Sequence, residues 1–432
     1  MPWDDTTDIL TNDRSIDRLS LAAPLLGATG WIDMLSRLVA VDTTPAADRG
    51  CELFCDTLRD LFAPLGFGLR RVETPEALCP QVSPARARGP VISLLGARRT
   101  GHPACTIHLP MDTAAAGTGW TREPLALTRQ GNRLYGLGTT RCKGAIAALW
   151  AALRAADAVG LGLRHDLVLA FTADHGEQRH AGLRHMAGQG LLEGHLLALD
   201  GLAAPQIWAG ALGALEYEIR ISPEQAPGQA LGGSPAEAGG PVLSRLMALR
   251  EEVAARRSAI PAPPEREGEP LLRPSLRIVS VRASEGRRGG LPSCTITVLR
   301  RFTAEEGHHA ALAELSAALR DAPAGVTLTG RVLRHMEPVA EPDRGAHAGR
   351  WQQALGWGFG FRQEAFRRWG SLAPSPLGFV QQAGLEEILM GGLSRRGQLP
   401  RAPDEFTTIE DVEALGRSLL AYLADLPVIP RD

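Results

Sequence analysis

The chain has 432 residues, 44% hydrophobic and 22% charged, with 48 glycines and 31 prolines; this excludes fibrous and disordered classes and leaves room for a large domain plus a smaller one. A formal net charge of −2 excludes a general affinity for nucleic acid or for an anionic membrane surface. Positive charge is almost wholly arginine, Lys143 being the only lysine.

The opening MPWDDTTDIL lacks a basic segment, and the apolar stretch from Leu19 to Trp31 is short and broken by Pro24 and Gly27, so neither export nor membrane anchoring is expected. Cys51, Cys55, Cys79, Cys105, Cys142 and Cys294 show neither zinc-ribbon nor disulfide-framework spacing, which suits a reducing, cytoplasmic setting. Trp31 to Val39 reads as a helix, and after the turn DTTPAADRG a second helix runs from about Cys51 to Leu65. Apolar extended segments follow at 91–96, 105–111 and 166–173, and a glycine-rich turn at 136–144 opens the helical stretch AIAALWAALRAA. Strands alternating with helices predict an α/β fold, a mixed sheet with helices on both faces. Sites in such sheets lie in the loops after strand C-termini.

From Gly213 the pattern changes to strand ALEYEIRIS, a helix over Pro241–Arg256, strands SLRIVSVRAS and SCTITVLRRF, a helix over Ala304–Leu319, and strand VTLTGRVL. That order predicts a ferredoxin-like α+β module. Within it, Ile260 to Pro274 is rich in proline and charge and is expected to be a surface loop. After Pro338 helix and strand signals return, ending in an amphipathic helix from Ile409 to Leu426. The expected organisation is an α/β domain over 1–212 and 336–432, interrupted by an inserted module at 213–335.

Six stretches, in order, carry a resemblance: WIDMLSRLVAVDTTP, MDTAAAGTGWTREPLALTRQGNRLYGLGTTRCKGAIAALWAAL, FTADHGEQRHAGLR, GALEYEIRIS, GGLPSCTITVLRRF and RAPDEFTTIEDV. Across roughly residues 31 to 425 the chain resembles the family of acetylornithine deacetylases, succinyl-diaminopimelate desuccinylases, aminoacylases and glutamate carboxypeptidases. The resemblance implies a zinc-exopeptidase-like fold whose inserted module is a lid and dimerisation domain. It also implies a dinuclear zinc site with two His, a bridging Asp and two acidic ligands, and a Glu that deprotonates metal-bound water.

At the family's motif positions this sequence differs. His-x-Asp is Pro110-Met111-Asp112; the bridging Asp is Arg141, before Cys142-Lys143-Gly144; the Glu-Glu pair is His175-Gly176. The next acidic ligand falls at Gly201, beside Asp200, and the last His at Arg401, in Arg401-Ala402-Pro403-Asp404-Glu405. In the lid, no His stands between Glu224 and Gly233, Gly289 replaces an Asn, and Arg301 persists.

Three readings follow from these substitutions. In the first, a dication site has become an anion site: Arg141 and Arg401 supply permanently charged planar donors, Asp112 or His175 serves as base, and Lys143, Glu177, Asp200, Arg301 and Glu405 contact substrate. No metal or cofactor is then expected. The chemistry would be metal-free and non-hydrolytic on an amino-acid derivative, free or held by a small acidic amino-group carrier protein. One such reaction is aziridine closure by an amine with loss of sulfate or phosphate, as in azinomycin-like natural-product biosynthesis. In the second reading the chain is a non-catalytic binding or scaffold homologue. In the third it is an amidohydrolase with shifted zinc ligands drawn from His108, Asp112, His175, His180 and Asp200. In each the lid is expected to mediate a homodimer or heteromer. Arg287, Arg288, Arg395 and Arg396 are candidate contacts for an acidic carrier, against an ordinary solvated surface.

Overall fold

Among the described residues sixteen strands interleave with helices along the chain. They are β1 (Gly68–Thr74), β2 (Val91–Arg98), β3 (Ala104–Pro110), β4 (Thr128–Gln130), β5 (Arg133–Tyr135), β6 (Asp166–Thr172), β7 (His195–Ala198) and β8 (Gln206–Ala211). Then come β9 (Gly213–Pro223), β10 (Ser275–Ser284), β11 (Ser293–Phe302), β12 (Val326–Met336), β13 (Val339–Ala340), β14 (Arg367–Ser371), β15 (Ile388–Met390) and β16 (Phe406–Thr408). The computed structural model describes residues 18–47, 49–78, 91–173, 180–224, 234–264, 266, 268–284, 291–395 and 402–424. The chain divides into one unit of Met1–Trp208, Pro342–Arg368 and Ala383–Asp432 and another of Ala209–Glu341 and Trp369–Gln382.

The first unit is built on a six-stranded sheet in the order β1-β2-β6-β3-β7-β15. β1, β2 and β6 pair antiparallel, while β6, β3, β7 and β15 run parallel. All seven residues of β6 are buried, as a strand covered on both faces requires, and its run of Leu, Val, Ala and Phe supplies them. The helix Lys143–Ala158 is buried along nearly its whole length. Its alanines let neighbours approach closely, and it packs against the helices Trp31–Ala40 and Ile409–Leu423. The last of these starts at Thr408, whose hydroxyl accepts from the Asp411 N–H at 3.1 Å, satisfying one orphan donor of the first turn. Where the parallel strands begin, His165, His195, His347 and Tyr422 form a ring cluster. Among the described residues no single helix is long and apolar enough to cross a membrane.

The second unit carries a four-stranded antiparallel sheet in the order β10-β11-β9-β12, with the helices Pro235–Ala254 and Gly307–Ala317 against it. In chain order this is strand, helix, strand, strand, helix, strand, the ferredoxin-like module. On β11 alternate residues from Cys294 to Phe302 are buried, the period of a half-covered strand. That period buries Arg300 completely, where it meets Glu306 and Glu314, and Arg256 reaches the same two carboxylates at 2.6 Å each.

Two expectations are corrected. The first helix of this module begins at Pro235, six residues before Pro241, which lies inside it. Both prolines suit a first helical position; Ser234 decides, its hydroxyl accepting from the Glu237 N–H at 3.3 Å. The stretch from Ile260 to Pro274 is not wholly surface loop. Ile260 and Leu272 are buried with Ala209 and Leu212, held by the paired bonds Ser258 N–H to Leu272 O and Leu272 N–H to Ile260 O, each 2.9 Å.

Candidate functional site

Two acidic residues follow the ends of neighbouring parallel strands. β3 ends at Pro110, the Met111 N–H donates to Thr172 O at 3.0 Å, and the buried Asp112 comes next. Thr113 N–H then donates to Thr43 O at 3.2 Å. β7 ends at Ala198, Leu199 N–H donates to His108 O at 3.1 Å, and Asp200 follows. Both carboxylates therefore leave the same edge of the sheet, the edge where loops assemble sites.

The glycine-rich turn places a guanidinium there. Gly138 has φ +85°, and a Cβ on it would lie 2.8 Å from Thr113 Cγ2 and 2.9 Å from Cys142 Sγ, so the turn approaches the Asp112 loop only because that residue is glycine. Cys142 N–H and Lys143 N–H both donate to Gly138 O, at 3.3 and 2.9 Å. Arg141 emerges just before the helix and donates through Nη2 to Asp200 Oδ2 at 3.3 Å and to Asp200 O at 3.4 Å. The Asp200 side chain is 11% exposed and that of Arg141 38%. Arg141 Nε is buried with no hydrogen-bond partner among the described residues.

The turn is locked from the far end of the chain. Gly136 N–H donates to Glu405 O at 3.0 Å, and Thr140 N–H donates to the buried Glu405 carboxylate at 2.9 Å. The carboxylate of Glu405 thus holds the loop that carries Arg141. Lys143 is fully buried, and its ammonium donates to Val41 O at 2.9 Å and Val39 O at 3.4 Å. Burial lowers its pKa, and its charge serves the join between two helices. Asp404, one of few non-glycine residues at positive φ among the described residues, accepts from Thr121 and Arg122 and fixes the same C-terminal motif.

His108 is buried with Nε2 2.9 Å from Thr172 Oγ1. Burial holds its pKa below the ordinary imidazole value, with Asp200 opposing. Among the described residues, the one trio of His, Cys, Asp or Glu with ligand atoms mutually within 4.8 Å is His308, His335 and Glu337 in the second unit. His108, Asp112, His180 and Asp200 are not gathered in that way. Arg395 makes a two-point ion pair with the buried Asp411 while its side chain stays 45% exposed. Arg301 lies on β11, opposite Ser275 and Ala214, with its pKa lowered by burial and by Arg277 and Arg266. His175, Glu177, Arg287, Arg288, Gly289, Arg396 and Arg401 lie outside the described residues.

Sequence reasoning missed the Glu405–Thr140 lock and the trio in the second unit. Glu405 was visible only as part of a motif, because a backbone N–H 265 positions away leaves no local signal.

The helix-flanked mixed sheet, its loop cluster at the strand ends and the ferredoxin-like module together define a metallopeptidase-type α/β fold. The chain belongs to the peptidase family M20/M25/M40, whose model matches residues 109–425. It is 31% identical over 163 residues to the acetylornithine deacetylase of Proteus mirabilis, across 36% of this chain and 38% of that protein. With the succinyl-diaminopimelate desuccinylase of Novosphingobium aromaticivorans it shares 36% over 102 residues, 23% of this chain and 24% of that protein. The matched stretches thus span well under half the length of these relatives. Among solved structures it is similar to the di-peptidase Dug1p of Saccharomyces cerevisiae, with TM-score 0.66 and 15% identity, covering 94% of this chain and 98% of that one. It is also similar to the YXEP protein of Bacillus subtilis, described as a dinuclear metal binding peptidase, with TM-score 0.56 and 13% identity over 93% of this chain and 99% of that one.

Proposed function

We propose that this site works without a resident metal on a small amino-acid derivative, and that the Arg141 guanidinium takes the place of a metal ion as the partner of Asp200. The observation that carries the reading is the 3.3 Å contact between Arg141 and Asp200 at the turn where the family resemblance expects a bridging carboxylate. A zinc site needs three or four nitrogen, oxygen or sulfur donors around each ion. Among the described residues the donors near this sheet edge are Asp112, Asp200 and the buried His108, whose Nδ1 has no hydrogen-bond partner, and a permanent cation already meets Asp200. Another cation about 4 Å from that guanidinium would meet a repulsion of about 4 kcal/mol per unit charge at an effective dielectric of 20. Among the described residues this donor set is a poor match for a dinuclear zinc centre, which supports the metal-free reading.

Arg141 uses Nη2 on Asp200, which leaves part of its donor fork for a substrate sulfate, phosphate or carboxylate. Arg401 supplies the second cation in this proposal. The finer version is amine cyclisation. Asp112 accepts a proton from the substrate amine, the nitrogen lone pair attacks the adjacent carbon, and the carbon–oxygen bond breaks with its electrons leaving on sulfate or phosphate. The ring closes without any change of oxidation state. Holding amine and leaving group in one substrate supplies proximity, and the arginines stabilise the departing anion. The substrate is free or attached to a small acidic carrier, and the chain works as a dimer.

The test incubates full-length protein with a vicinal amino sulfate ester of an amino acid and reads inorganic sulfate and product mass. Sulfate release that survives a chelator and is lost in Arg141→Ala and Asp112→Asn is the expected result. Hydrolysis of an N-acyl amino acid that stops when zinc is removed would return the site to the amidohydrolase class. Because Arg141 is already paired with Asp200, a binding homologue is the second reading; it predicts ligand binding with neither reaction.

A further inference from the structure

Two imidazoles and a carboxylate meet at one corner of the ferredoxin-like sheet, and the register shows why. Phe302 at the end of β11 lies opposite Gly213, and Met336 at the end of β12 lies opposite Ala214. Both strands therefore finish beside the start of β9. The helix Gly307–Ala317 begins a short turn after β11 and brings His308 to the corner, while His335 is the penultimate residue of β12 and Glu337 follows its last residue, Met336.

Glu337 Oε1 lies 3.2 Å from His308 Nδ1 and 3.8 Å from His335 Nε2, and all three ligand atoms lie within 4.8 Å of one another. The carboxylate is 9% exposed and the imidazoles 19% and 20%. The two rings sit 4.8 Å apart at 57°, so they are tilted and not stacked. The Phe302 and Phe379 rings flank them at 6.3 and 5.3 Å. The backbone of Glu337 is seated against Gly378, where a Cβ would lie 2.2 Å from Glu337 O, so the carboxylate has a fixed root.

An ordinary ion pair would use one imidazole; the second stands beyond hydrogen-bond reach of the same oxygen. A tetrahedral zinc with donors at about 2.0–2.2 Å sets its donors roughly 3.3–3.5 Å apart, between the two separations seen here. We propose that His308, His335 and Glu337 form a mononuclear divalent transition-metal site in the second unit, with a fourth position left for water. Two imidazoles and one carboxylate suit Zn²⁺ well. Bound there, the ion would tie the start of a helix to the end of β12.

Full-length protein stripped with chelator and dialysed against zinc, followed by mass-spectrometric metal analysis and thermal melting, tests the site. Wild type should keep about one zinc per chain, and its melting midpoint should rise with zinc because the ion binds the folded state. His335→Gln and Glu337→Gln should lose both effects while melting like wild type without zinc. If His335→Gln folds poorly, His308→Gln reads the same loss. A wild type that retains no zinc overturns the proposal, and so does zinc that survives in all three variants. Zinc kept by wild type but lost in Asp112→Ala would overturn both this site and the metal-independent reading of the first unit, whereas loss confined to the second-unit variants supports this site and leaves that reading intact.

Discussion

Lowering the pH from 7 to 5 should destabilise the first unit through its buried imidazoles. His165 and His195 are 3% and 6% exposed. His195 stacks on His347 with centroids 3.7 Å apart, and the Tyr422 hydroxyl lies 2.5 Å from His195 Nε2. Burial holds His165 down to about 4, and burial reinforced by the neighbouring imidazoles His347 and His165 holds His195 down to about 3. In the unfolded chain both titrate near 6.5. Their folded values are depressed, so the unfolded state takes up protons first. Stability is complete above pH 6.5 and is lost as pH falls from there toward 4 and 3. Each group costs about 1.4 kcal/mol per pH unit in that window, so the pair removes roughly 4 kcal/mol between pH 6.5 and 5. Urea unfolding at the two pH values, followed by far-UV circular dichroism, measures the loss. His165→Leu deletes one titrating group and should recover about half of it. Equal pH dependence in the variant and wild type would refute the argument.

Two substitutions probe the supports described above. Gly138→Ala forces a Cβ onto φ +85° and to 2.8 Å from Thr113 Cγ2; it should cost about 2 kcal/mol, read as a lower urea midpoint, and an unchanged midpoint would mean the turn is not conformationally demanding. Arg300→Met leaves Glu306 and Glu314 facing each other with only Arg256 between them. A loss of about 3 kcal/mol is expected, the low end for breaking a buried network because one cation remains, and thermal melting checks it.

The sheet strands were legible because full burial demands apolar runs: β2, β3 and β6 begin and end within two residues of the segments read from composition. The helix start at Pro235 was not, since two prolines compete for one role and only a side-chain cap separates them. At the site, Asp112, Arg141 and Asp200 were legible through motif spacing, and the structure brings the last two into contact. Side-chain direction was not legible. Lys143 lies two residues after Arg141, yet its ammonium runs back to Val39 and Val41, because Lys143 opens the helix whereas Arg141 precedes its cap, Cys142. Buried charge was missed at Arg300, where alternation assigns the position inward but cannot say that Glu306, just before the next helix, and Glu314 within it will meet it.

The lock between Glu405 and Thr140 spans 265 positions, and β5 finds its partner β16 across a similar gap. During synthesis at 5–20 residues per second, the turn carrying Arg141 therefore waits on the order of tens of seconds for its retaining carboxylate. Through that interval one edge of β5 is uncovered, and an open strand edge is a template for pairing with another nascent chain. Contacts so distant also slow folding, since loop closure is met before any stabilisation is gained. Yield from expression should consequently depend on translation speed and temperature more than the stability of the finished protein would suggest.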